Sequence, residues 1–438
     1  MTDFLLSGGR VVDPARGVDG PADVLVRDGV VAAVGAGVGA SGAEVIDCAG
    51  AVVAPGLVDA HTHLREPGRE DEETIASGSA AAAAGGFTAV CAMPNTDPVA
   101  DSAAVVEKVW ALGRHAGLVD VAPAGALTRS QAGAEMADLG EMVRSAARVR
   151  LFTDDGAGLQ DALLARRAME YLVAFDAVYA EHCEEASLAG DAQMHEGARS
   201  AALGLRGAPA EAEELMAARD IALARLTGCR LHLLHVSTEG TVELVRDAKR
   251  RGLRVTAEAT PHHFTLTDAA MEGYDPDAKV NPPLRAESDR AAVVQGLADG
   301  TIDVVATDHA PHAPEEKDQE LVLAPPGLVG LETALALVVS ELVAPGALTM
   351  LEAVARLSTA PARLLDLSEH GGPILPGRPA HLVVFDPSSE WVVEPARFRS
   401  KARNTPFAGR RVRGRVLHTF LRGRPTVRES EVLEPATV

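Results

Sequence analysis

The sequence has few aromatic residues and a shortage of positive charge, and both features argue against nucleic-acid binding. Aromatic side chains make up 3% of the 438 residues, which leaves few platforms on which bases could stack. Asp and Glu number 62 against 41 Lys and Arg, and the resulting formal net charge of −21 opposes contacts with phosphate. We therefore expect no nucleic-acid partner.

Cysteines and long apolar runs are also scarce. Cys48, Cys91, Cys183 and Cys229 lie far apart with no C-x-x-C pair, a spacing typical of free thiols in a reducing compartment. No run of about 18 apolar residues is present, and the N-terminus lacks the basic-then-apolar pattern of a signal peptide. We expect a cytoplasmic protein with no membrane partner.

The central part of the sequence repeats one pattern, a short apolar run followed by a polar residue and a helical stretch. The runs are Val52–Val58, Phe87–Met93, Asp120–Ala126, Arg148–Thr153, Ala177–Ala180, Arg230–Leu234, Arg254–Ala257 and Ile302–Ala306. Segments between them, such as Ser102–Arg114 and Thr238–Arg251, carry helical apolar spacing. Eight such β-then-α units predict an α/β fold of the (β/α)8 TIM-like barrel type.

The two ends of the chain contain short Val- and Leu-rich runs separated by Gly and Asp turns. Examples are Phe4–Leu6, Val24–Val26, the turn Asp28-Gly29, Val30–Val34, Ala380–Phe385, Trp391–Val393 and Val416–Phe420. We interpret the ends as halves of one small composite β-sandwich. The predicted division is 1–54 for its first part, 55–370 for the barrel, and 371–438 for its second part and a C-terminal tail.

Metal-type side chains follow the predicted strands, at the ends where barrel enzymes build their sites. His61 and His63 come after the first strand, and their spacing of two places both imidazoles on one side of an extended chain. The ends of strands four, five, six and eight carry Asp154-Asp155, His182, His235 and Asp308. Four His and at least two Asp form a mixed N/O set suited to zinc, with spare carboxylate to bridge two ions.

Other features near these strand ends are weaker candidates. His232 lies three residues before His235, so on a strand it points to the opposite face and is not expected to bind the same metal. His262 and His263 follow the seventh strand and could border the site. The segment Pro311–Gly327 follows the eighth strand without useful periodicity, and we interpret it as a lid.

Several motifs together resemble the signature of dihydroorotases in the amidohydrolase superfamily. They are Asp59-Ala60-His61-Thr62-His63-Leu64-Arg65-Glu66-Pro67-Gly68, Met93-Pro94-Asn95-Thr96, Phe152-Thr153-Asp154-Asp155-Gly156, Ala306-Thr307-Asp308-His309-Ala310-Pro311-His312, and Ile374-Leu375-Pro376-Gly377 running into Leu382–Asp386. One departure is His381, where the family usually has an acidic residue. The resemblance spans the whole chain. It implies reversible, zinc-dependent cyclisation of N-carbamoyl-L-aspartate to L-dihydroorotate in de novo pyrimidine (UMP) biosynthesis.

The resemblance also implies a site with two zinc ions (Zn2+) per subunit. One ion would be held by His61, His63 and Asp308, the other by His182 and His235, with one carboxylate bridging both. Many relatives bridge with a carbamylated lysine, but the five lysines of this chain lie elsewhere. The chain is similar to the bacterial branch with an aspartate bridge, which we assign to Asp155. Asp154 is the alternative, since adjacent residues point to opposite sides of a strand.

The resemblance implies that Asp308 is the catalytic base and then acid, taking a proton from water and passing it to the ring nitrogen. Arg65 lies two residues beyond His63, on the same side, so it can grip the substrate carboxylate with two N–H bonds. By resemblance the remaining substrate-binding residues are His63, Asn95, Asn281, His312, Pro326 and Gly327. Asn95 and His312 would share the carboxylate.

Two alternatives are open at this point. A hydantoinase- or allantoinase-like cyclic amidohydrolase would act on a ring without that carboxylate, but such relatives generally rely on the bridging lysine. A catalytically inactive homologue could act as a scaffold for aspartate transcarbamoylase, but degenerate relatives lose metal ligands and this chain retains all six. We expect a small-molecule substrate and a homo-oligomer, a dimer, and association with the transcarbamoylase is a further hypothesis.

Overall fold

The computed structural model describes residues 2–40 and 42–434. Its strands are β1 (Phe4–Ser7), β2 (Arg10–Asp13), β3 (Val18–Pro21), β4 (Asp23–Arg27), β5 (Val30–Gly35), β6 (Glu44–Asp47), β7 (Val52–Pro55), β8 (Leu57–Thr62), β9 (Phe87–Ala92), β10 (Asp120–Pro123), β11 (Leu151–Phe152), β12 (Val178–Glu181), β13 (Met194–His195), β14 (Gly207–Ala208), β15 (Arg230–Leu233), β16 (Val255–Ala259), β17 (Val304–Val305), β18 (Leu382–Val392), β19 (Arg411–Leu421), β20 (Arg424–Arg428) and β21 (Glu431–Val432).

The α-helices are α1 (Ile75–Ala84), α2 (Ala103–Ala116), α3 (Leu139–Arg144), α4 (Ala162–Val173), α5 (Ala186–Ala189), α6 (Ala198–Leu203), α7 (Glu211–Thr227), α8 (Glu239–Arg250), α9 (Pro261–Thr265), α10 (Glu287–Asp299), α11 (Pro314–Lys317), α12 (Ala334–Val338), α13 (Met350–Val354) and α14 (Ala360–Leu364). The π-helical segments Val339–Val343 and Ala355–Thr359 continue α12 and α13. Within the described residues, no helix has the length and apolar character needed to cross a membrane.

The central strands are parallel, and every predicted apolar run contributes a strand. One sheet has the order β10-β9-β8 and another the order β11-β12-β15-β16-β17. Single parallel bridges, from Gly125 to Phe152 and from Thr62 to His309, join the neighbouring edges of these two sheets. The α/β class predicted from the sequence is confirmed.

Helices alternate with these strands and bury one face against them, as α8 illustrates. The side chain of Thr238 accepts the N–H of Thr241 and so caps the start of α8. The helix then buries Val242 and Val245 at helical spacing. Because the cap follows the end of β15 closely, the connecting turn that contains His235 is short and well ordered by its flanking elements.

The boundaries of several strands differ from the predicted ones. The predicted run Val52–Val58 is divided, since β7 pairs with β18 from the other end of the chain and β8 begins at Leu57. Gly56 lies at the division, where a Cβ atom would approach the Thr88 side chain to 2.2 Å, so only glycine fits. The seventh strand, predicted to end at Ala257, continues to Ala259. Strands four and eight are only two residues long.

Strands from both ends of the chain form one sheet of order β21-β20-β19-β18-β7-β2-β3. A second sheet has the order β5-β4-β1-β6, and one buried apolar cluster contains side chains from both sheets, including Phe4 and Phe420. The predicted hairpin turn is present, with positive φ at Asp28 (49°) and Gly29 (82°). The runs predicted as separate strands near the C-terminus merge into the long strands β18 and β19.

The apolar cluster shared by the central strands is built largely from small side chains. Ala60, Ala89 and Ala180 come from three different strands, Ala306 directly follows β17, and all four are completely buried. Leu364 of α14 belongs to the same cluster. Close packing of alanine explains how a chain with few aromatic residues fills this space.

Candidate metal centre

The six side chains predicted to bind metal meet at the carboxyl ends of the central strands. Their exposed fractions are 8% or less. In chain order they are His61 in β8, His63 just after it, Asp155 after β11, His182 after β12, His235 after β15 and Asp308 after β17. Because parallel strands present their carboxyl ends at the same edge, residues distant in sequence become neighbours here.

Asp155 lies between two groups of imidazoles. Its Oδ2 atom is 3.4 Å from His61 Nε2 and 3.5 Å from His63 Nε2. Its Oδ1 atom is 3.4 Å from His235 Nε2 and 3.7 Å from His182 Nδ1. Each carboxylate oxygen therefore faces a different pair of nitrogen donors, as a carboxylate that bridges two cations must.

Asp154 has a different environment, although it is the neighbour of Asp155 in sequence. Its Oδ1 atom accepts the N–H groups of Leu127 (2.9 Å) and Thr128 (3.0 Å), and its Oδ2 atom accepts the Thr128 hydroxyl. Both oxygens are thus occupied by the segment that follows β10. Of the two predicted alternatives, only Asp155 is brought to the histidines.

The donor atoms fit a divalent metal of the zinc type. One atom each from His61, His63 and Asp155 lies within 4.8 Å of the other two, and the same holds for Asp155, His182 and His235. Asp308 Oδ1 lies 3.0 Å from His63 Nε2 and 3.4 Å from His61 Nε2. His61 Nε2 and Asp155 Oδ1 are buried without a hydrogen-bond partner. Buried, unpartnered nitrogen and oxygen donors are what a zinc ion requires.

The charge state of the carboxyl groups also suits metal binding. Burial by itself would raise the pKa of Asp155 and of Asp308, but the neighbouring imidazoles, His61 foremost, hold both pKa values below the usual range. The two groups are therefore carboxylates at neutral pH, the form that binds metal.

Two acceptors fix the histidines of the first group. The Nδ1 atom of His61 lies 2.7 Å from Glu258 Oε1, and the Nδ1 atom of His63 lies 2.9 Å from Asn95 Oδ1. A proton on each Nδ1 leaves each Nε2 as the metal donor. Glu258 Oε2 also lies 3.0 Å from His232 Nε2. His232 is in neither donor group, as predicted. It does not point away from the site, however, since it contacts Glu258, the residue that also contacts His61.

Glu258 was not among the predicted site residues, because the seventh strand was expected to end at Ala257. It could have been found from the sequence, since it is a carboxylate near the carboxyl end of a central strand. We expect Glu258→Gln to weaken metal binding about 10-fold, because the variant keeps the hydrogen bond to His61 but removes the negative charge that makes the imidazole a stronger donor. Metal titration of the metal-free protein measures this, with Glu239→Gln at the exposed start of α8 as the control. Equal affinities in all three proteins would contradict this role.

Asp59 connects the first and eighth strands beneath the site. Its Oδ1 atom accepts the N–H groups of His61 (3.1 Å) and Thr307 (3.0 Å), and its Oδ2 atom accepts the Thr307 hydroxyl at 2.6 Å. Burial raises the pKa of Asp59 to about 7. Through its three hydrogen bonds, Asp59 positions the backbone at His61 and at Thr307, the neighbour of Asp308.

Three residues at this edge have a left-handed backbone conformation. Arg65, His235 and Asp308 have φ values of 62°, 31° and 49°, in the region that favours glycine. Each such residue costs about 1–3 kcal/mol and persists only where surrounding contacts hold it. Asp59 supplies such contacts to Thr307, the neighbour of Asp308.

The predicted substrate-binding side chains surround the metal donors. Arg65 is buried, its Nε atom lies 2.8 Å from Glu72 Oε2 and donates to Pro311 O at 3.1 Å, and its Nη2 atom lies 3.5 Å from His312 Nε2. Asn281 Nδ2 lies 3.3 Å from His182 Nε2. Arg65 and His312 therefore lie side by side, and Asn281 contacts the second donor group.

The two histidines after the seventh strand differ from each other. His263 lies in α9, where its ring nitrogens are 2.8 Å from Thr260 Oγ1 and 3.0 Å from Pro282 O, so it has a structural role. His262 is buried and has no hydrogen-bond partner at either ring nitrogen. Neither belongs to the two donor groups.

Two buried lysines hold the segment Pro311–Gly327 in place. Lys279 Nζ donates to Leu321 O at 2.8 Å and to Ala324 O at 2.7 Å. Lys317 Nζ donates to the carbonyl oxygens of Pro325 and Gly327 at 2.9 and 3.1 Å. These ammonium groups satisfy carbonyls that a loop lying on the protein would otherwise leave unpaired. Nothing in the sequence pattern assigned this role to the two lysines.

Comparison with known sequences points to one family. The family model described as "Dihydro-orotase-like" matches residues 50–241. Proteins named dihydroorotase from Pelotomaculum thermopropionicum and Streptomyces coelicolor are 53% and 52% identical to this chain, over 97% and 98% of it and 99% of each relative. The dihydroorotase of Mycobacterium tuberculosis is 49% identical over 94% of the chain and 96% of its own length.

Solved structures show the same architecture at lower identity. An L-hydantoinase (dihydropyrimidinase) from Arthrobacter aurescens superposes with a TM-score of 0.85 at 27% identity, over 99% of this chain and 98% of its own. A dihydropyrimidinase from Brevibacillus agri has a TM-score of 0.86 at 24% identity, over 99% and 97%. The overall fold is therefore shared with hydrolases of cyclic amides.

Proposed function

Because the chain belongs to the dihydroorotase family, we propose that the cluster centred on Asp155 is the active site for the interconversion of N-carbamoyl-L-aspartate and L-dihydroorotate. The chain is a cyclic-amide hydrolase that serves pyrimidine biosynthesis. The observation that supports this site best is Asp155 itself, whose two oxygens face separate pairs of histidines. No lysine is needed for a bridge in such an arrangement.

Two zinc ions are the proposed cofactors, and they would polarise the ring carbonyl and lower the pKa of a water molecule to about 7. His61, His63 and Asp308 would hold one ion, His182 and His235 would hold the other, and Asp155 would serve both. The two distances of 3.4 Å from His61 Nε2, to Asp155 and to Asp308, support a single ion among these three side chains.

Asp308 is the proposed proton carrier. Its carboxylate is ionised and lies at the edge of the first donor group, 3.0 Å from His63 Nε2. In hydrolysis it takes the proton of the attacking water and delivers it to the ring nitrogen as the amide bond breaks. In cyclisation the same group takes the proton from the carbamoyl nitrogen.

Arg65 is the proposed anchor for the carboxylate that lies outside the scissile amide. Glu72 holds the Nε side of its guanidinium, which leaves the Nη side available for a charged, bidentate contact. Asn95 and His312 complete this subsite. Asn281 and the backbone of Pro326 and Gly327 hold the polar edge of the ring.

We expect Arg65→Lys to lower kcat/KM for dihydroorotate about 10- to 100-fold, mainly through KM, because lysine keeps the charge beside Glu72 but lacks the planar fork. Steady-state kinetics measure this. Arg69→Lys is the matched control, since Arg69 also pairs with Glu72 but is partly exposed. A KM equal to that of the unsubstituted protein would exclude Arg65 as the anchor.

The segment Pro311–Gly327 is the proposed lid, which excludes water from the reacting groups. Gly327 has a φ of 134°, and a Cβ atom there would approach His312 Nε2 to 2.9 Å. We expect Gly327→Ala to reduce kcat/KM by about 10-fold or more with unchanged metal content, because the methyl group displaces His312. Gly346→Ala is the control, since Gly346 also has positive φ but faces open space. Equal kinetics in both variants would contradict the lid assignment.

The substrate itself is tested by comparing dihydroorotate with hydantoin as substrates of the purified, metal-loaded protein. Dihydroorotate carries the carboxylate that Arg65 is proposed to bind, so we expect kcat/KM at least about 100-fold higher for it. Preference for the uncharged ring would favour a hydantoinase-like activity and overturn the proposal.

The architecture proposed with this function is a closed (β/α)8 barrel, 55–370, with a composite β-sandwich formed by 1–54 and 371–438. The two bridges between the central sheets support closure, and the pairing of β7 with β18 supports the composite arrangement. A cytoplasmic homodimer, which can associate with aspartate transcarbamoylase, completes the proposal.

A further inference from the structure

A second group of metal-type side chains lies at the opposite end of the central strands from the candidate metal centre. Asp120 is the first residue of β10, His370 lies between α14 and β18, and His381 directly precedes β18. One donor atom from each lies within 4.8 Å of the other two. Because barrel active sites lie at the carboxyl ends of strands, this group is separate from the catalytic chemistry.

His381 is the side chain that most needs a partner. It is 4% exposed, and neither of its ring nitrogens has a hydrogen-bond partner. Burial disfavours the charged form of its ring. A neutral imidazole has one nitrogen lone pair available for a metal ion.

His370 lies against His381, with ring centroids 4.0 Å apart, and each of its ring nitrogens contacts an oxygen atom. Its Nδ1 atom is 3.0 Å from Thr88 Oγ1, and this hydroxyl donates to Leu57 O at 3.4 Å. Because the Thr88 hydroxyl donates to Leu57, His370 Nδ1 is the donor to Thr88. The Nε2 atom of His370 lies 2.9 Å from Asp120 Oδ2, and a metal ion bound here would replace the proton that these two atoms share.

Asp120 has coordinating capacity left. Arg422 donates to Oδ1 at 2.9 Å and to Oδ2 at 2.6 Å, and His370 is the third contact. A carboxylate offers about four lone-pair positions, so one remains on this group beside the arginine. Asp120 and His370 also line a cavity of about 910 Å³, through which an ion can reach them.

We propose that Asp120, His370 and His381 form an additional metal site that binds zinc or a similar borderline divalent ion. Two imidazole nitrogens and one carboxylate oxygen are a zinc donor set, with the fourth position open to the cavity. The Nδ1 contact of His370 with Thr88 is the kind of outer bond that orients a metal-binding imidazole. The ion would join the start of β10 to the segment between α14 and β18, so it would stabilise the contact between the central strands and the sheet that contains β18.

The test compares zinc content in the metal-loaded protein and in two His→Asn variants after equilibration with a small excess of zinc. We expect His381→Asn to bind one equivalent less per chain while its turnover stays the same. His418→Asn is the matched control, because His418 is also buried, lies in the sheet that contains β18, and is outside the cluster. This variant should bind as many equivalents of zinc per chain as the unsubstituted protein.

A second variant keeps the test decisive if His381→Asn folds poorly. His381→Asp restores a carboxylate donor, so it should regain the missing equivalent, and zinc should raise the Tm of this variant as it does for the unsubstituted protein. Equal zinc content in the unsubstituted protein and His381→Asn, with equal Tm shifts on adding zinc, would overturn the proposal.

Discussion

Replacing Asp308 by Asn should lower kcat by about 10²- to 10⁴-fold, the range that general acid–base catalysis contributes. The amide cannot accept the proton of the attacking water or deliver it to the ring nitrogen. It retains an oxygen at the position that now lies 3.0 Å from His63 Nε2, so the first donor group still binds metal, although more weakly. Turnover of dihydroorotate and metal content, measured on the same preparation, separate these two effects.

The control for Asp308→Asn is Asp318→Asn, an exposed position within the lid segment. It carries the same chemical change on the same side of the protein but lies outside the donor groups. We expect its kcat and metal content to match those of the unsubstituted protein. Turnover in Asp308→Asn equal to that of this control would exclude the proton-transfer role.

Asp155→Asn should remove metal as well as activity. Asp155 is the one side chain common to both donor groups, and each of its oxygens faces two imidazole nitrogens. The amide replaces one of these oxygens with an N–H donor and removes the negative charge. Loss of a residue that hydrogen-bonds a metal ligand typically lowers metal affinity or activity about 10- to 100-fold. Asp155 is itself a shared donor, so its replacement should lower metal affinity by more than about 100-fold. Metal analysis should show less than the full complement in the purified variant.

Asp154→Asn is the matched control for Asp155→Asn. The amide introduced at this position would keep the oxygen that accepts the N–H groups of Leu127 and Thr128, so the loop after β10 should remain in place. The metal content of this variant should stay close to that of the unsubstituted protein. If Asp154→Asn loses metal and Asp155→Asn retains it, the assignment of the two aspartates is reversed.

Most donor residues of the candidate site could be predicted, because each is identified by the residues next to it in the sequence. His61 and His63 follow an apolar run and have the spacing that places two side chains on one side of a strand. Apolar runs that precede Asp155, His182 and His235 place these residues at strand ends in the same way. Parallel strands then bring such ends together without any further signal from the sequence.

The residues that support the metal donors and the segment Pro311–Gly327 were harder to predict, because they depend on exact strand ends and on partners distant in sequence. Glu258 contacts His61 across the site at 2.7 Å, yet an error of two residues in the end of the seventh strand removed it from consideration. Lys279 and Lys317 bind only backbone carbonyl oxygens, which have no sequence signature. The cluster of Asp120, His370 and His381 joins the start of β10 to the segment between α14 and β18, and no sequence pattern links these parts of the chain.

The amino-acid sequence by itself determined the α/β class, the residues available to bind metal and the family, since each follows from local periodicity or from contiguous motifs. Only the tertiary structure decided which of two chemically identical neighbours, Asp154 or Asp155, faces the histidines. The reason is that N–H groups of Leu127 and Thr128, from another strand's loop, bind Asp154 and turn its carboxylate away. The tertiary structure also decided that the first predicted run divides at Gly56 and that β7 pairs with β18, because both features depend on partners distant in sequence, Thr88 and β18.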